Sequence, residues 1–470
     1  MRTTLRIIAV LALSALAGFA QQPGVKGHWQ GTLNVGVALR LAFSIAETDG
    51  KLGGTMRSLD QGGGKIDLSA VSEKEGVAQI EVAAIAGKFE GKLNGDGSEI
   101  VGTWSQGPAK LPLTLKRSEA EVALRRPQEP KPPFPYLEEE VTIPGGAKEV
   151  KLAGTFSIPT GTDPHPAVVL VTGSGPQDRN EAIMGHKPFL VLADHLARQG
   201  IAVLRCDDRG FAKSTGDHLT ATTLDFADDA RAQLAWLRQR KEVDPKRTGI
   251  IGHSEGGIVA PLVAAKDPEI AFIVLLAGVG VPMKDLLLRQ MEDLARLEGG
   301  DEKKVAQSIR MGREILRLLT EKLDDAALEK RLRELNEEAR RELTAEELAK
   351  APPVETAVAM GLARVRSPWQ RWVIGYDPAP TLRAVKCPVL AINGEKDCQV
   401  AAKENIDAIS RTLAEGGNKN VQTAVLPGLN HLFQKCQTGS VKEYGEIEET
   451  MSPSVLARIS VWILETAVPR

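Results

Sequence analysis

Ser254 lies in Thr248-Gly249-Ile250-Ile251-Gly252-His253-Ser254-Glu255-Gly256-Gly257, with a glycine two residues to either side. The apolar residues before it read as a buried strand, and a helix is expected to open at about Gly256. A serine on such a strand-to-helix turn is pushed up into solvent, and the turn is so tight that only small residues fit at both flanking positions. The helix that follows points its positive N-terminus at the site, which favours a developing anion. Ser254 is therefore the candidate nucleophile. A hydroxyl at its ordinary pKa is a poor nucleophile, so it needs an adjacent base.

Turns of this kind are followed along the chain by an acid and then a histidine. Residues 388–393 read as a strand, and Asn393-Gly394-Glu395-Lys396-Asp397 follows it. Asp397 is the favoured acid because it lies deeper in that loop; Glu395 is its competitor. A strand over 421–426 leads into Pro427-Gly428-Leu429-Asn430-His431. Of the seven histidines, His431 alone follows both Ser254 and the acid. His253 is set aside as a base because the turn aims the neighbouring side chains elsewhere. A tetrahedral intermediate also requires backbone donors for its oxyanion, each contributing roughly 3–4 kcal/mol. The Glu255 amide is one candidate. The second is the amide of Ser174 or of Gly175, in Thr172-Gly173-Ser174-Gly175-Pro176-Gln177-Asp178, where glycine permits close backbone approach.

These residues need a rigid frame, and the chain supplies an alternating one from about 138 onward. Apolar runs at 167–171, 201–204, 248–252 and 270–277 alternate with helical patterns at 187–199 and 223–240. Continuous apolar runs suit strands buried on both faces of a mostly parallel sheet with helices on either side. Residues 281–380 interrupt the alternation with a charged, Leu-rich block, read as an inserted helical cap whose charges face solvent. Residues 24–118 differ. Leu39, Leu41, Phe43 and Ile45, and later Leu111, Leu113 and Leu115, alternate with other residues between Gly-rich turns. That pattern predicts a small barrel or sandwich, loosely lipocalin-like. Between the two, residues 119–137 contain five prolines within nine positions and read as a stiff linker.

The chain has 470 residues, enough for two or three units at roughly 100–200 residues each. Lys plus Arg number 59 against 61 for Asp plus Glu, and no basic stripe appears, which argues against a nucleic-acid partner. Arg2 and Arg6, the apolar stretch 7–16 and Gly18-Phe19-Ala20 read as a secretory signal cleaved after Ala20. A periplasmic or extracellular protein without stable membrane insertion is expected, if the source is bacterial. Four cysteines follow, at 206, 387, 398 and 436, none in metal-site spacing. Neither a phosphate loop nor a metal cluster is evident, so no cofactor is expected. Cys398 adjoins the acid and Cys436 lies five residues past the base, so a Cys398–Cys436 disulfide stapling the two loops is expected. Cys206 and Cys387 read as small buried apolar residues.

Taken together, Gly173 to Asn180, Asp208-Arg209-Gly210 through Gly216, the Ser254 turn, Gly394 to Asp397 and Leu429-Asn430-His431 resemble bacterial secreted α/β-hydrolases. These are the serine aminopeptidase-like or acyl-peptidase-related hydrolases, a group that includes esterases. The resemblance covers about residues 138–470. It implies the α/β-hydrolase fold, catalysis by Ser254, Asp397 and His431, and no cofactor. The Asp208-Arg209-Gly210 turn resembles a loop that buttresses the site. The oxyanion loop departs from the common His-Gly form, with Thr172 in place of the histidine.

The chemistry expected is two-step acyl transfer on a small-molecule ester or peptide. A carboxylesterase is the first expectation. An exopeptidase is the second, in which Glu255 or acidic cap residues would hold a free amine. A non-catalytic binding protein on a degenerate scaffold is the third, disfavoured because all three catalytic positions are filled.

Overall fold

A computed structural model describes residues 24–35, 38–59, 65–121, 126–161, 164–297, 299–321, 323–344, 348–349 and 351–467. The expected signal segment, residues 1–20, lies outside them. The chain divides into two compact units: most of residues 24–122, and residues 123–470 with the short stretches 34–40 and 57–64.

The N-terminal unit is a nine-stranded sheet. Its strands are β1 (Gly27–Asn34), β2 (Ala38–Thr48), β3 (Lys51–Ser58), β4 (Ile66–Asp67), β5 (Ala70–Lys74), β6 (Val77–Val82), β7 (Gly87–Leu93), β8 (Glu99–Gln106) and β9 (Ala109–Ser118). They run in the order β4-β3-β2-β1-β9-β8-β7-β6-β5. The two edge strands, β4 and β5, are separated by only residues 68 and 69, so the sheet must curl until its edges are neighbours. Alternation supplies the inner face: Leu41, Phe43, Ile45, Leu113 and Leu115 are buried with Trp29, Phe89 and Trp104. Leu39 and Leu111 are only half-buried. The Arg117 guanidinium covers the Trp29 ring at 4.1 Å and donates to the carbonyls of Gly24, Lys26 and Gly97, closing the entry to the sheet.

The second unit is built on an eight-stranded sheet. Its strands are β10 (Tyr136–Pro144), β11 (Lys151–Pro159), β12 (His165–Val171), β13 (Ala202–Cys206), β14 (Val243–His253), β15 (Phe272–Leu276), β16 (Val389–Gly394) and β17 (Val421–Leu426). Their order is β10-β11-β13-β12-β14-β15-β16-β17. β10 and β11 pair antiparallel, as do β11 and β13, and every later pair is parallel. Strand residues alternate between two apolar layers. Val169, Ile250, Ile273 and Ala391 face α2 (Thr223–Leu237), α3 (Gly256–Ala264) and a helix over 402–415. Val168, Ile251, Val274 and Ile392 face α1 (Pro188–Arg198) and a helix over 453–466. Alternation hidden inside continuous apolar runs is what a sheet covered on both faces requires.

The β10–β11 hairpin departs from the sequence reading. β10 carries Glu138, Glu139 and Glu140, which pair with Arg205, Arg240 and Arg179. Its polarity is that of an edge strand whose carboxylates are used by neighbouring elements. The proline-rich stretch departs as well. Arg126 donates to the carbonyls of Met184, Gly185, Gly445 and Ile447, and Gln128 bonds Thr450 and Met451. This part of the expected linker is fastened to the second unit, and its last residues already belong to β10.

Between β15 and β16 the chain forms α4 (Met283–Leu297), α5 (Glu302–Thr320), α6 (Asp325–Arg341), α7 (Val354–Arg366), α8 (Pro368–Ile374) and α9 (Ala379–Ala384). Asp301 and Asp324 cap α5 and α6 by accepting the amides of Lys304 and Ala327. Leu316, Leu319, Leu328, Leu332, Leu335 and Val358 form a core within this block, while its Arg and Glu residues pair on the surface. After β16 and β17 come α10 (Ala402–Glu415) and α11 (Pro453–Thr466).

Phe156 on β11 is fully buried and meets Trp236 of α2 edge-on at 5.4 Å, with Arg240 over both rings. Phe156→Ala should lower stability by about 3–5 kcal/mol, read from the denaturant midpoint of the purified protein.

Candidate active site

Ser254 stands between the end of β14 and the start of α3, with φ at +53°. That left-handed conformation is strained for a residue with a Cβ. It is held by close packing on both sides. A Cβ on Gly252 would lie 2.0 Å from the Gly256 carbonyl oxygen, and one on Gly256 would lie 2.2 Å from that of Val171. The flanking glycines are therefore required by contact between backbones. The Ser254 amide donates to Leu276 at the end of β15, tying the turn to the next strand.

The loops after β16 and β17 converge on this turn. His431 Nδ1 lies 2.7 Å from Asp397 Oδ2, and both residues are buried. Asp397 Oδ1 accepts the amides of Gln399 and Val400, so the carboxylate is fixed from two directions. Glu395, the competing acid, is exposed and accepts the Gly428 amide instead. Ser254 and His431 line one cavity of about 290 Å³. Its roof comes from the cap: Met283, Leu286 and Leu287 of α4, Arg364 of α7, and Trp369 and Val373 of α8.

Ser174 and Glu255 border the same cavity, and among the described residues neither amide donates to a protein acceptor. Two free donors beside the serine can receive an oxyanion. Gly175, the alternative to Ser174, instead borders a small cavity of about 30 Å³ with Asp208 and Glu255. Thr172, in the position of the usual histidine, donates to Asp208 Oδ1, while Asp208 Oδ2 accepts the Gln177 amide. Burial, with Glu255 and Glu181 nearby, pushes the Asp208 carboxyl up to about 8. Asp208 thus holds the loop over 172–177, and Arg209 is turned away into a buried pair with Asp229.

The Glu255 side chain is engaged. It accepts from Thr223 Oγ1 and from Trp369 Nε1, each at 2.6 Å, and Ser174 bonds it too. Burial raises its pKa. A carboxyl in that state is poorly suited to hold a substrate ammonium group.

Two residues enter the site without a signal in the sequence: His253, set aside above as a base, and Glu181, which lies in no motif. His253 Nδ1 lies 2.8 Å from Glu181 Oε1, and its Nε2 lies 3.1 Å from the His431 carbonyl oxygen. Glu181 Oε1 also accepts the Gly173 amide at 2.8 Å. The partners are 72 residues apart in the chain, so no local pattern reveals them.

The expected Cys398–Cys436 disulfide is not formed. The four cysteines are free thiols. The loops do converge, but Cys398 turns its thiol to the Gly439 carbonyl and Cys436 turns its own to that of Gly428. Cys206 is buried and Cys387 half-buried. No group of three potential metal ligands occurs among the described residues, and no described helix is long and apolar enough to cross a membrane.

A family model described as serine aminopeptidase, S33, matches residues 187–435. Esterase EstD of Thermotoga maritima is 27% identical over 301 residues, which are 64% of this chain and 61% of that protein. The chain thus spans about three fifths of that relative's length. Among solved structures, Pyrococcus furiosus esterase Pf2001 aligns with a TM-score of 0.44 and 16% identity, over 73% of this chain and 100% of that one. Est1E from Butyrivibrio proteoclasticus aligns at 0.40 and 18%, over 69% and 98%.

Two outcomes check this geometry. Gly252→Ala should cost about 1–3 kcal/mol, because a backbone oxygen must move, measured by thermal or denaturant unfolding. Protein unfolded without reductant should titrate four thiols with a chromogenic disulfide reagent, whereas two would establish the bridge.

Proposed function

Because the chain belongs to the serine aminopeptidase S33 family, we propose that it is a serine hydrolase cleaving carboxylic esters through an acyl-enzyme on Ser254. The observation that carries this reading is the strained Ser254 turn sharing one cavity with His431, which is bonded in turn to Asp397, and with Ser174 and Glu255, whose amides have no protein acceptor among the described residues. In this mechanism His431 takes the Ser254 proton as the hydroxyl attacks the ester carbonyl. Asp397 fixes the imidazole orientation and favours its charged form. The Ser174 and Glu255 amides receive the oxyanion. His431 returns the proton to the departing alcohol, and water then repeats the sequence to release the acid.

The name of the Thermotoga maritima relative supports an ester substrate. The family's description favours a second reading, an exopeptidase. An aminopeptidase needs an acidic group for the substrate's free amine, and Glu255, the carboxyl nearest the nucleophile in sequence, is occupied by Thr223 and Trp369. That favours esters over N-terminal peptides. The largely apolar roof suits small or medium acyl groups. The basic and apolar N-terminal pattern makes export to the periplasm or beyond part of the proposal, and the curled N-terminal sheet supports a lipocalin-like barrel.

The purified protein and Ser254→Ala should be compared on p-nitrophenyl butyrate and on alanine p-nitroanilide. Ester turnover is expected to exceed anilide turnover, and the variant should lose about 10⁴-fold or more in kcat. Dominant anilide turnover would favour the exopeptidase, and equal ester rates in both proteins would remove Ser254 from the mechanism.

A further inference from the structure

We propose that His253 is a positioning residue, held as a doubly protonated imidazolium between Glu181 and the His431 carbonyl, that locks the base loop to the oxyanion loop. The inference rests on the Ser254–His431 reading above and extends it to a residue outside the triad.

Proton counting carries it. Three groups meet around this ring: the Gly173 amide, the Glu181 carboxyl and the His431 carbonyl. The carbonyl can only accept, so Nε2 must carry a proton. Glu181 Oε1 already accepts the Gly173 amide, and as an ionised carboxylate it takes its second hydrogen bond from an Nδ1–H, so we place a proton on Nδ1 too. A neutral His253 facing an ionised Glu181 would set a lone pair against an acceptor on one side. All the atoms are buried, where an unmatched acceptor costs its full desolvation penalty.

The surroundings suit the charge. Facing it are Glu181 from the loop after β12, the His431 ring at 4.7 Å between centroids, and Asp397 from the loop after β16. Phe433 packs edge-on at 6.5 Å between centroids, His253 and Glu181 also border the cavity that holds Ser254, and Asp208 is near enough to Glu181 to feel its charge. Burial disfavours the imidazolium, but the Glu181 charge and its hydrogen bond, the His431 carbonyl and Asp397 outweigh burial and hold the pKa above the ordinary histidine value. The sign follows. A raised folded-state pKa contributes stability that is complete below the unfolded value and is lost as pH rises through the folded one.

The consequence is mechanical. The Gly173 amide anchors the loop that offers the Ser174 donor, and the His431 carbonyl anchors the base. One ion pair therefore sets the separation between base and oxyanion donors. Deprotonation of His253 as pH rises releases both loops, although among the described residues neither Glu181 nor His253 hydrogen-bonds the Ser254 side chain or the His431 ring.

Glu181→Gln tests this, because glutamine keeps the size and one acceptor but removes the charge. With a neutral His253, no orientation of the amide satisfies Gly173, Nδ1 and the His431 carbonyl together. On p-nitrophenyl butyrate, kcat should fall about 10- to 100-fold with little change in KM, and the alkaline limb of the pH profile should move to lower pH. His253→Gln should retain a weak activity with no alkaline limb of this origin. Wild-type kcat and an unmoved alkaline limb in Glu181→Gln would overturn the proposal. A readout independent of catalysis is the imidazole NMR spectrum of the wild-type protein near pH 7. Two His253 N–H signals, absent from His253→Gln, are expected; a single one would overturn the proposal even where neither variant folds well enough for kinetics. If the two signals appear but butyrate turnover does not depend on Ser254, the functional reading fails and the His253 assignment stands.

Discussion

The site in the second unit is arranged around the left-handed conformation of Ser254. Ser254 can hold its positive φ only because β14 and α3 approach so closely that the carbonyls of Val171 and Gly256 occupy the space of two missing Cβ atoms. The strain is maintained by the sheet, since Ser254 is bonded to the end of β15 and β14 lies between β12 and β15. Strain of this kind persists where the surrounding structure over-determines it. Here the surroundings are a sheet core covered on both faces.

Around that point the rest of the site is assembled by polar contacts among buried residues. The loops that carry Asp397 and His431 leave adjacent parallel strands, β16 and β17, so their convergence follows from strand order. The loop that carries Ser174 leaves β12, on the other side of β14. It is anchored from below by Asp208, and Arg179, further along, forms a two-bonded pair with Asp207. Each buried charge has a counter-charge or a set of donors, as the low dielectric demands. Arg205 with Glu138 and Arg209 with Asp229 follow the same rule. The cap contributes a contact of a different kind: Trp369 donates to Glu255, joining the roof of the cavity to the residue after Ser254.

The parts legible in the sequence were those with local signatures. The Ser254 turn carries its own steric reason in its glycines, and apolar runs mark the parallel strands because both their faces are covered. Asp397 lies deeper in its loop than Glu395, and it is Asp397 that meets His431. The β10 strand was not, because three consecutive glutamates mask its alternation, and their partners Arg205, Arg240 and Arg179 are distant in sequence. The same holds for Glu181 and His253. The Cys398–Cys436 expectation used the convergence of two loops, which sequence does convey, but not the direction of the side chains, which it does not. The docking of Arg126 and Gln128 was hidden because proline content reports backbone stiffness and says nothing of side-chain partners.

The most direct test of the central claim is to treat the protein with diethyl p-nitrophenyl phosphate and map the adduct by peptide mass spectrometry. The account predicts one diethylphosphoryl group per chain, on the peptide containing Ser254, with nitrophenolate released in equal amount. An unlabelled Ser254, or a label on another residue with full loss of ester turnover, would contradict it.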